Sequence, residues 1–184
     1  MLQKIMHCSY LLVLVALGQQ LFLAATQDDS NIPDSFEIFK HFRSAVAISD
    51  INNDNTYECL TARRISLDME DKTVEYIWLL KGHHNKPKKT VPLYIKAGSS
   101  PDTILYSVGS DDAPAEVGTF LYTDYENCAV LSMPYNGGQC ILWAQNDKKD
   151  SVPQKCLEEF SERCGTGVLL YSKELCPDKE FLDL

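Results

Sequence analysis

Between residues 44 and 145 the chain alternates apolar and polar positions in short runs that are separated by turn-forming residues. A period of two places successive side chains on opposite faces of a β-strand. The runs predict eight strands, at about residues 45–49, 57–66, 73–81, 90–97, 103–108, 117–123, 128–133 and 139–145. Short strands at this regular spacing predict an all-β domain, either an antiparallel barrel or a sandwich.

The last two predicted strands are joined by a turn sequence, Pro134-Tyr135-Asn136-Gly137-Gly138. An Asn-Gly pair between two apolar runs is a strong signal for a β-hairpin. Four of the chain's seven cysteines lie between residues 127 and 164, in this hairpin and just after it. We therefore predict a final hairpin that disulfides join to a helix behind it.

Two segments follow a helical period instead. Residues 33–35 resemble a helix start, and an apolar stripe follows at helical spacing, formed by Phe36, Phe39 and either His41 or Phe42. A second helix is predicted from Pro153 to Cys164, because proline is favoured in the first turn of a helix. Residues 167–171 offer one further short strand.

Residues 1–25 are predicted to be a signal peptide. Lys4 supplies a weak positive charge, an apolar core follows at residues 11–17, and small residues at 24–26 offer a cleavage site. Gly18 helps to interrupt the apolar run, which is therefore too short to cross a membrane. The alternative is an N-terminal anchor helix. We expect a secreted protein with a single domain over residues 26–184.

Secretion determines how the cysteines are interpreted. Cys8 leaves with the signal peptide, and six cysteines remain in the mature chain. An even number in an oxidising compartment predicts three disulfides, in any of 15 connectivities. A zinc site is the competing interpretation, but no Cys-x-x-Cys pair occurs.

The mature chain is strongly acidic. Without Lys4 it carries 16 basic and 26 acidic residues, a net charge of about −10. Such a chain repels nucleic acid and anionic membranes, so we expect neither as a partner.

Residues for catalysis or metal binding are few. His7 leaves with the signal peptide, and the adjacent His83 and His84 lie in a predicted loop, where solvated side chains are the usual case. The sequence has no Gly-x-Ser-x-Gly, no His-Glu-x-x-His and no phosphate-binding glycine loop. With six thiols oxidised, no cysteine remains as a nucleophile. We predict no enzymatic activity, no metal and no cofactor.

The alternation also selects the side chains that share the inner face of the sheet. Six of them are candidates to line a cavity: Trp143, Ile141, Ala129, Trp78, Tyr106 and Tyr122. A barrel of about eight strands can be filled by its own side chains or can hold one small ligand, and both interpretations stay open. The polar ends of Tyr and Trp favour a pocket.

Arg63 and Arg64 are adjacent in the second predicted strand, so one of the pair faces inward. A buried guanidinium requires an anion. Either a structural Asp or Glu or the carboxylate of a ligand can supply it.

Motifs in the second half of the chain resemble those of tick salivary lipocalins of the histamine-binding group. They are Cys128-Ala129-Val130, Cys140-Ile141-Leu142-Trp143, Val152-Pro153 with Cys156, and a last cysteine near the C-terminus. The resemblance covers nearly the whole mature chain. It implies an eight-stranded antiparallel lipocalin-type barrel with a short N-terminal helix, a C-terminal helix packed outside and an internal cavity. It also implies the disulfides Cys59–Cys176, Cys128–Cys156 and Cys140–Cys164.

Two positions depart from the amine-binding members of that family. Those members carry Cys-Asp and Glu-Leu-Trp at these motifs, and the carboxylates neutralise the ammonium of the ligand. Here Ala129 and Ile141 take the acidic positions, and only Trp143 remains. Because a buried ammonium needs a carboxylate, the expected pocket suits an apolar molecule better.

The resemblance and its departures together imply a secreted salivary protein, expected to be a monomer, that sequesters a small host mediator. An eicosanoid, a fatty acid or a sterol is favoured over a biogenic amine, and Arg63 or Arg64 would meet a ligand carboxylate. Two alternatives stay open. One is binding of histamine or serotonin, and the other is a protein-binding immunomodulator or complement inhibitor that contacts a host immune protein through the lysine-rich loop at residues 81–89.

Overall fold

Eight antiparallel strands close into a barrel in the computed structural model, which describes residues 32–53, 56–81 and 88–176. The strands are β1 (Ser44–Asp50), β2 (Thr61–Asp68), β3 (Thr73–Leu80), β4 (Lys89–Ala97), β5 (Thr103–Val108), β6 (Glu116–Thr123), β7 (Cys128–Met133) and β8 (Gln139–Gln145). Each strand pairs with the next, β8 pairs with β1, and β1 pairs with β2 through Ser44 and Arg63, which completes the ring. The short β9 (Val168–Leu169) adds to β1. The predicted barrel is confirmed.

Several predictions fall on residues outside this description. The signal peptide at residues 1–25 is one, and His83, His84 and Lys86 of the lysine-rich loop are others. The signal peptide, and the use of that loop as a protein contact, therefore stay predictions. None of the helices in the described part of the chain has the length and apolar character needed to span a bilayer.

The second strand begins later than its β-prone sequence predicts. β2 starts at Thr61, whereas residues 57–59 form a turn in which Cys59 has a left-handed backbone (φ 55°). The N–H of Cys59 donates to the carbonyl of Leu170 at 2.9 Å, and its sulfur is bonded to Cys176. These contacts with distant residues override the local preference for a strand.

A short helix, α1 (Ser35–His41), closes one end of the barrel. The carboxylate of Asp34 accepts hydrogen bonds from the N–H groups of Phe36 (2.9 Å) and Glu37 (3.0 Å), which is the standard N-cap arrangement. The apolar stripe of the helix is buried in the interior cluster of the barrel through Phe36, Ile38, Phe39 and the following Phe42. The predicted helix is confirmed, and Phe42 rather than His41 continues its apolar stripe.

A second helix, α2 (Gln154–Cys164), packs on the outer face of β6, β7 and β8. Its buried side chains Cys156 and Phe160 belong to a cluster with outward-facing residues such as Val130 and Leu142. Three disulfides, Cys59–Cys176, Cys128–Cys156 and Cys140–Cys164, tie the outer layer to the barrel. This is the connectivity that the family resemblance implied.

The turn between β6 and β7 is held by one carboxylate. Asp124 accepts hydrogen bonds from the backbone N–H groups of Glu126 (3.1 Å), Asn127 (2.7 Å) and Cys128 (3.0 Å). Burial raises the pKa of Asp124, but these hydrogen bonds outweigh it, and the net pKa lies below the usual range. A lowered pKa means that the ionised carboxylate stabilises the folded state at neutral pH, and that this stabilisation is lost as the pH falls from about 4 through the folded pKa.

We expect Asp124→Asn to lower the free energy of unfolding at pH 7 by about 1.5 kcal/mol, the low end for hydrogen bonds to a charged group, because the turn is partly exposed. Urea unfolding at pH 7 and pH 3 checks this, since the difference between variant and wild type should shrink at pH 3. Asp147→Asn, which removes a carboxylate of side-chain exposure 70%, is the matched control and should have almost no effect. An equal loss in both variants would contradict the role assigned to the turn.

Candidate ligand-binding cavity

An apolar cavity of about 60 Å³ lies inside the barrel between α1 and the middle of the strands. The side chains that line it come from α1, from Phe42 directly after it and from all eight barrel strands. They are Ile38, Phe39, Phe42, Ala45, Ala62, Tyr76, Trp78, Leu93, Ile95, Ile104, Phe120, Ala129, Leu131, Met133 and Trp143. None of these fifteen described residues carries a charge.

Polar atoms in this wall are few. The hydroxyl of Tyr76 donates to the backbone carbonyl of Phe42, so it is satisfied within the protein. Burial raises the pKa of Tyr76 and keeps its hydroxyl neutral, although the nearby Arg64 acts in the opposite direction. The indole Nε1–H of Trp143 is buried and has no hydrogen-bond partner within the described part of the chain.

Aromatic rings close the cavity on the side away from α1. The ring of Trp78 stacks on Trp143 with centroids 6.4 Å apart, and it meets the edges or faces of Tyr57 (5.8 Å) and Tyr135 (5.9 Å). The register places Gln145 opposite Ala45 near α1, and Ile141 opposite Asp50 at the far end of β1. Ile141 and Gln139 therefore lie beyond Trp143, towards the end of the barrel opposite α1.

A loop at residues 134–138, here called the mouth loop, joins β7 to β8 at that end. The amide of Asn136 donates to the Tyr57 hydroxyl (3.0 Å), and the amide nitrogen of the fully buried Gln139 donates to the carbonyls of Tyr135 and Asn136 (3.2 Å each). Asn136 and Gly137 both have positive φ, the conformation that the Asn-Gly pair predicts. The loop is therefore tied to the barrel by hydrogen bonds.

Tyr106 lies in the same interior cluster, outside the cavity wall. Its hydroxyl donates to Oε2 of Glu116 at 2.7 Å. Burial raises the pKa of Tyr106, and the Glu116 carboxylate raises it further, so the phenol stays neutral and acts as a donor. Because the hydroxyl is already engaged, Tyr106 contributes mainly its ring to the interior.

Five of the predicted cavity residues face the barrel interior. Trp143, Trp78 and Ala129 line the cavity, and Ile141 and Tyr106 belong to the interior cluster just beyond its wall. Their orientation follows the uninterrupted alternation of β3, β5, β7 and β8.

The prediction that Tyr122 lines the cavity is wrong, because its side chain faces outward. The register of β6 against β7 shifts between Phe120 and Tyr122, so that Phe120 pairs with the inward Leu131 but Tyr122 pairs with the outward Val130. A bulge inserts one residue and moves the following side chain to the other face of the strand. Tyr122 packs with the outer cluster, and the guanidinium of Arg163 on α2 lies 5.8 Å from its ring centroid.

The prediction that Arg63 meets a ligand carboxylate inside the barrel is also wrong. Ala62 lines the cavity, so the next residue, Arg63, faces the outside of the barrel. Arg64 is the inner member of the pair, and its guanidinium donates to the backbone carbonyls of Phe39 and Lys40 (3.2 Å to the latter) at the C-terminal end of α1. The anion expected for the inward arginine is thus replaced by helix carbonyls, which carry partial negative charge.

The contribution of α1 and of the small residues in the wall could not be predicted from the sequence pattern. Ile38, Phe39 and Phe42 line the cavity, and so do Ala45 and Ala62. The helical stripe identified two of these side chains as apolar, but no local signal placed the stripe across the end of the barrel. Gln139 was missed as well, because a lone glutamine at a strand start is uninformative in a sequence.

A closed eight-stranded antiparallel barrel with an interior cavity, an N-terminal helix across one end and a second helix outside is the architecture of the lipocalins. A family model described as tick histamine binding protein matches residues 42–177. The chain therefore belongs to the tick histamine-binding protein family. A comparison with curated protein sequences finds no match.

Solved structures share the fold at low sequence identity. The serotonin complex of AM182 aligns with a TM-score of 0.60 and 14% identity over 83% of this chain and 99% of that chain. Cholesterol-bound japanin from Rhipicephalus appendiculatus gives a TM-score of 0.54 and 14% identity over 71% and 94% of the two chains. The tryptamine complex of the amine-binding protein of Rhodnius prolixus gives 0.54 and 11% over 73% and 80%.

Proposed function

We propose that this protein is a secreted salivary lipocalin that captures a small apolar host mediator, such as an eicosanoid, a fatty acid or a sterol, by stoichiometric binding without turnover. The observation that supports this most is the cavity wall, in which none of fifteen side chains is charged and Ala129 stands at a position where amine-binding members have an acid. Secretion is supported by the three disulfides, which persist in oxidising compartments.

The preference for an apolar molecule follows from the cost of burying charge. Moving an ammonium from water into a nonpolar wall is strongly unfavourable unless a carboxylate pairs with it. Neither Ala129 nor Ile141 can supply one. An apolar ligand gains about 25 cal/mol for each Å² that it removes from water, and it needs no partner charge.

The solved neighbours carry both kinds of ligand, since AM182 is in complex with serotonin and japanin is bound to cholesterol. The fold therefore accommodates either class, and the side chains of the individual cavity must decide between them.

The size of the cavity adds a mechanistic step. About 60 Å³ is much smaller than the roughly 300–1,000 Å³ of typical small-molecule sites. Capture of a lipid therefore requires the aromatic rings around Trp78 to move away from the mouth loop. After this movement, the small alanine side chains of the wall leave room for the ligand. The closed arrangement is the state before capture.

Intrinsic fluorescence provides a direct test, because the chain has two tryptophans and both line the cavity. We expect arachidonic acid or cholesterol to change the emission saturably at micromolar or lower concentration, and histamine and serotonin to leave it unchanged. Ala62→Leu, which fills the cavity from the wall, should weaken lipid binding at least tenfold. Ala97→Leu on an exposed position is its control. Native mass spectrometry of the secreted protein should reveal a co-purified lipid.

A saturable histamine isotherm would contradict the lipid preference and favour a second candidate function, capture of a biogenic amine. One observation favours that candidate. Asp50 is fully buried, is in register with Ile141 and accepts a hydrogen bond from the Cys140 N–H at 3.0 Å. It brings a carboxylate next to the position where the family's glutamate is missing. If the protein captures an amine, Asp50→Asn should abolish the amine isotherm, because asparagine keeps the shape and the side-chain oxygen that accepts from the Cys140 N–H but lacks the negative charge.

A further inference from the structure

Trp143 contains a buried donor that the protein itself does not satisfy. The side chain is 6% exposed and lines the cavity, and its Nε1–H has no hydrogen-bond partner among the described residues. A buried tryptophan N–H usually finds a partner, because an unmade hydrogen bond in a nonpolar interior is costly. An unpaired donor in the wall of a cavity therefore suggests that a bound molecule supplies the acceptor.

The neighbours of Trp143 explain why no side chain fills this role. Its two cross-strand partners are Ala47 on β1 and Ala129 on β7, whose methyl groups accept no hydrogen bond. Its ring stacks on Trp78, and an indole N–H is itself a donor only. The aspartate that the family's amine-binding members carry on β7 would have stood in the position of Ala129, directly across the strand from this indole.

The chemistry of the missing acceptor follows from the wall. An ammonium group has only donors, so it cannot accept a hydrogen bond from the indole N–H. A carboxylate could accept, but it would be buried among fifteen uncharged side chains, and the inward Arg64 already donates to the carbonyls of Phe39 and Lys40. An uncharged oxygen, as in a ketone, an ester, an ether or a hydroxyl group, satisfies the donor at no such cost.

Resting on the proposed lipid-capture function, we infer that the ligand places a neutral oxygen acceptor against Nε1–H of Trp143. This narrows the ligand class to oxygen-bearing neutral lipids, such as sterols, ketosteroids and lipid esters. A fatty acid without an uncharged oxygen along its chain, such as arachidonic acid, leaves the donor unpaired and should bind more weakly than a sterol, since burying its carboxylate at this depth is costly. Trp143 then determines specificity through one hydrogen bond, while the rest of the wall contributes apolar contact.

Three probes with one flexible chain test the inference. Decan-2-one has the oxygen, 2-methyldec-1-ene replaces that oxygen with a methylene group of similar shape, and 2-aminodecane replaces it with an ammonium. We expect the ketone to bind about 3- to 10-fold more tightly than the alkene in calorimetric titrations, which is the effect of one net hydrogen bond. The amine should bind more weakly than either.

Two matched variants locate the effect. Trp143→Phe removes the donor and keeps an aromatic ring, so the ketone and the alkene should bind equally well. Trp78→Phe removes the other indole of the same wall and should leave the preference for the ketone intact. In ¹H–¹⁵N spectra of the wild type, the ketone but not the alkene should shift the Trp143 indole signal, which is assigned by its retention in Trp78→Phe.

The possible outcomes separate this inference from the proposed function. Both neutral probes could bind saturably without a preference for the ketone, or with a preference that survives in Trp143→Phe. Either result would contradict the inferred hydrogen bond from Trp143 to the ligand and leave the proposed lipid capture intact. Binding of the amine alone would overturn both. A ketone preference that is lost only in Trp143→Phe, together with the indole shift, supports both.

Discussion

Replacing the disulfide Cys59–Cys176 with two serines is expected to lower the free energy of unfolding by about 5 kcal/mol in the chain-entropy description, because the bond closes a loop with a sequence separation of 117. That is a large share of the roughly 5–15 kcal/mol that stabilises a typical domain. Urea unfolding of the double variant under non-reducing conditions measures the loss.

The bond Cys128–Cys156 is the internal control. It spans only 28 positions, for which the same description predicts a loss of about 3.5 kcal/mol. A larger loss on removing Cys128–Cys156 than on removing Cys59–Cys176 would show that native packing, rather than loop length, dominates. The first variant should also weaken ligand binding, since Cys59 anchors the turn that carries Tyr57 to the mouth of the barrel.

Ala129→Asp is expected to destabilise the folded protein by about 3–5 kcal/mol at pH 7, the cost of an uncompensated buried charge. Ala129 is 1% exposed and faces a wall without cations. Burial would raise the pKa of the new carboxyl above its unfolded value of about 4, so the penalty applies above that value and declines as the acid protonates at lower pH. Urea unfolding at pH 7 and pH 4.5 should show this recovery.

Ala129→Asn separates the charge from the added volume, because it has nearly the same shape and no charge to titrate. It should lose less stability than Ala129→Asp at pH 7 and show little recovery at pH 4.5. If the family's chemistry is transferable, histamine should raise the melting temperature of Ala129→Asp and leave that of Ala129→Asn unchanged. Equal stability of the two variants at pH 7 would mean that water reaches the cavity and solvates the carboxylate.

Local pattern predicted the inner faces of most strands correctly. In β3 the positions of Val74, Tyr76 and Trp78 alternate without interruption, and all three side chains face the interior. In β6 the same rule failed after Phe120, because a bulge adds one residue that the partner strand does not match. Tyrosine tolerates either face, so nothing in the sequence of β6 revealed the change at Tyr122.

Contacts between distant residues account for the other differences. The alternation showed that one of Arg63 and Arg64 faces inward, but which one depends on the register with β1 and β3. The partner of Arg64 lies about 25 positions earlier, at the end of α1. The size of the cavity has the same origin, since it depends on how the side chains of one helix and eight strands meet. Sequence could predict the identity of several wall residues but not the volume that they leave.

If the ligand enters past the mouth loop, as the proposed function requires, the hydrogen bonds of Asn136 and Gln139 that hold this loop also limit the rate of capture. If only a small fraction of molecules is open at any moment, the apparent affinity is reduced by that fraction, and association at high ligand concentration levels off at the rate of opening. On the same assumption, these bonds would re-form over a captured molecule, and dissociation would wait for the same rare opening. A protein with the proposed capture function would thereby trade rapid uptake for a long residence time, which suits stoichiometric binding without turnover.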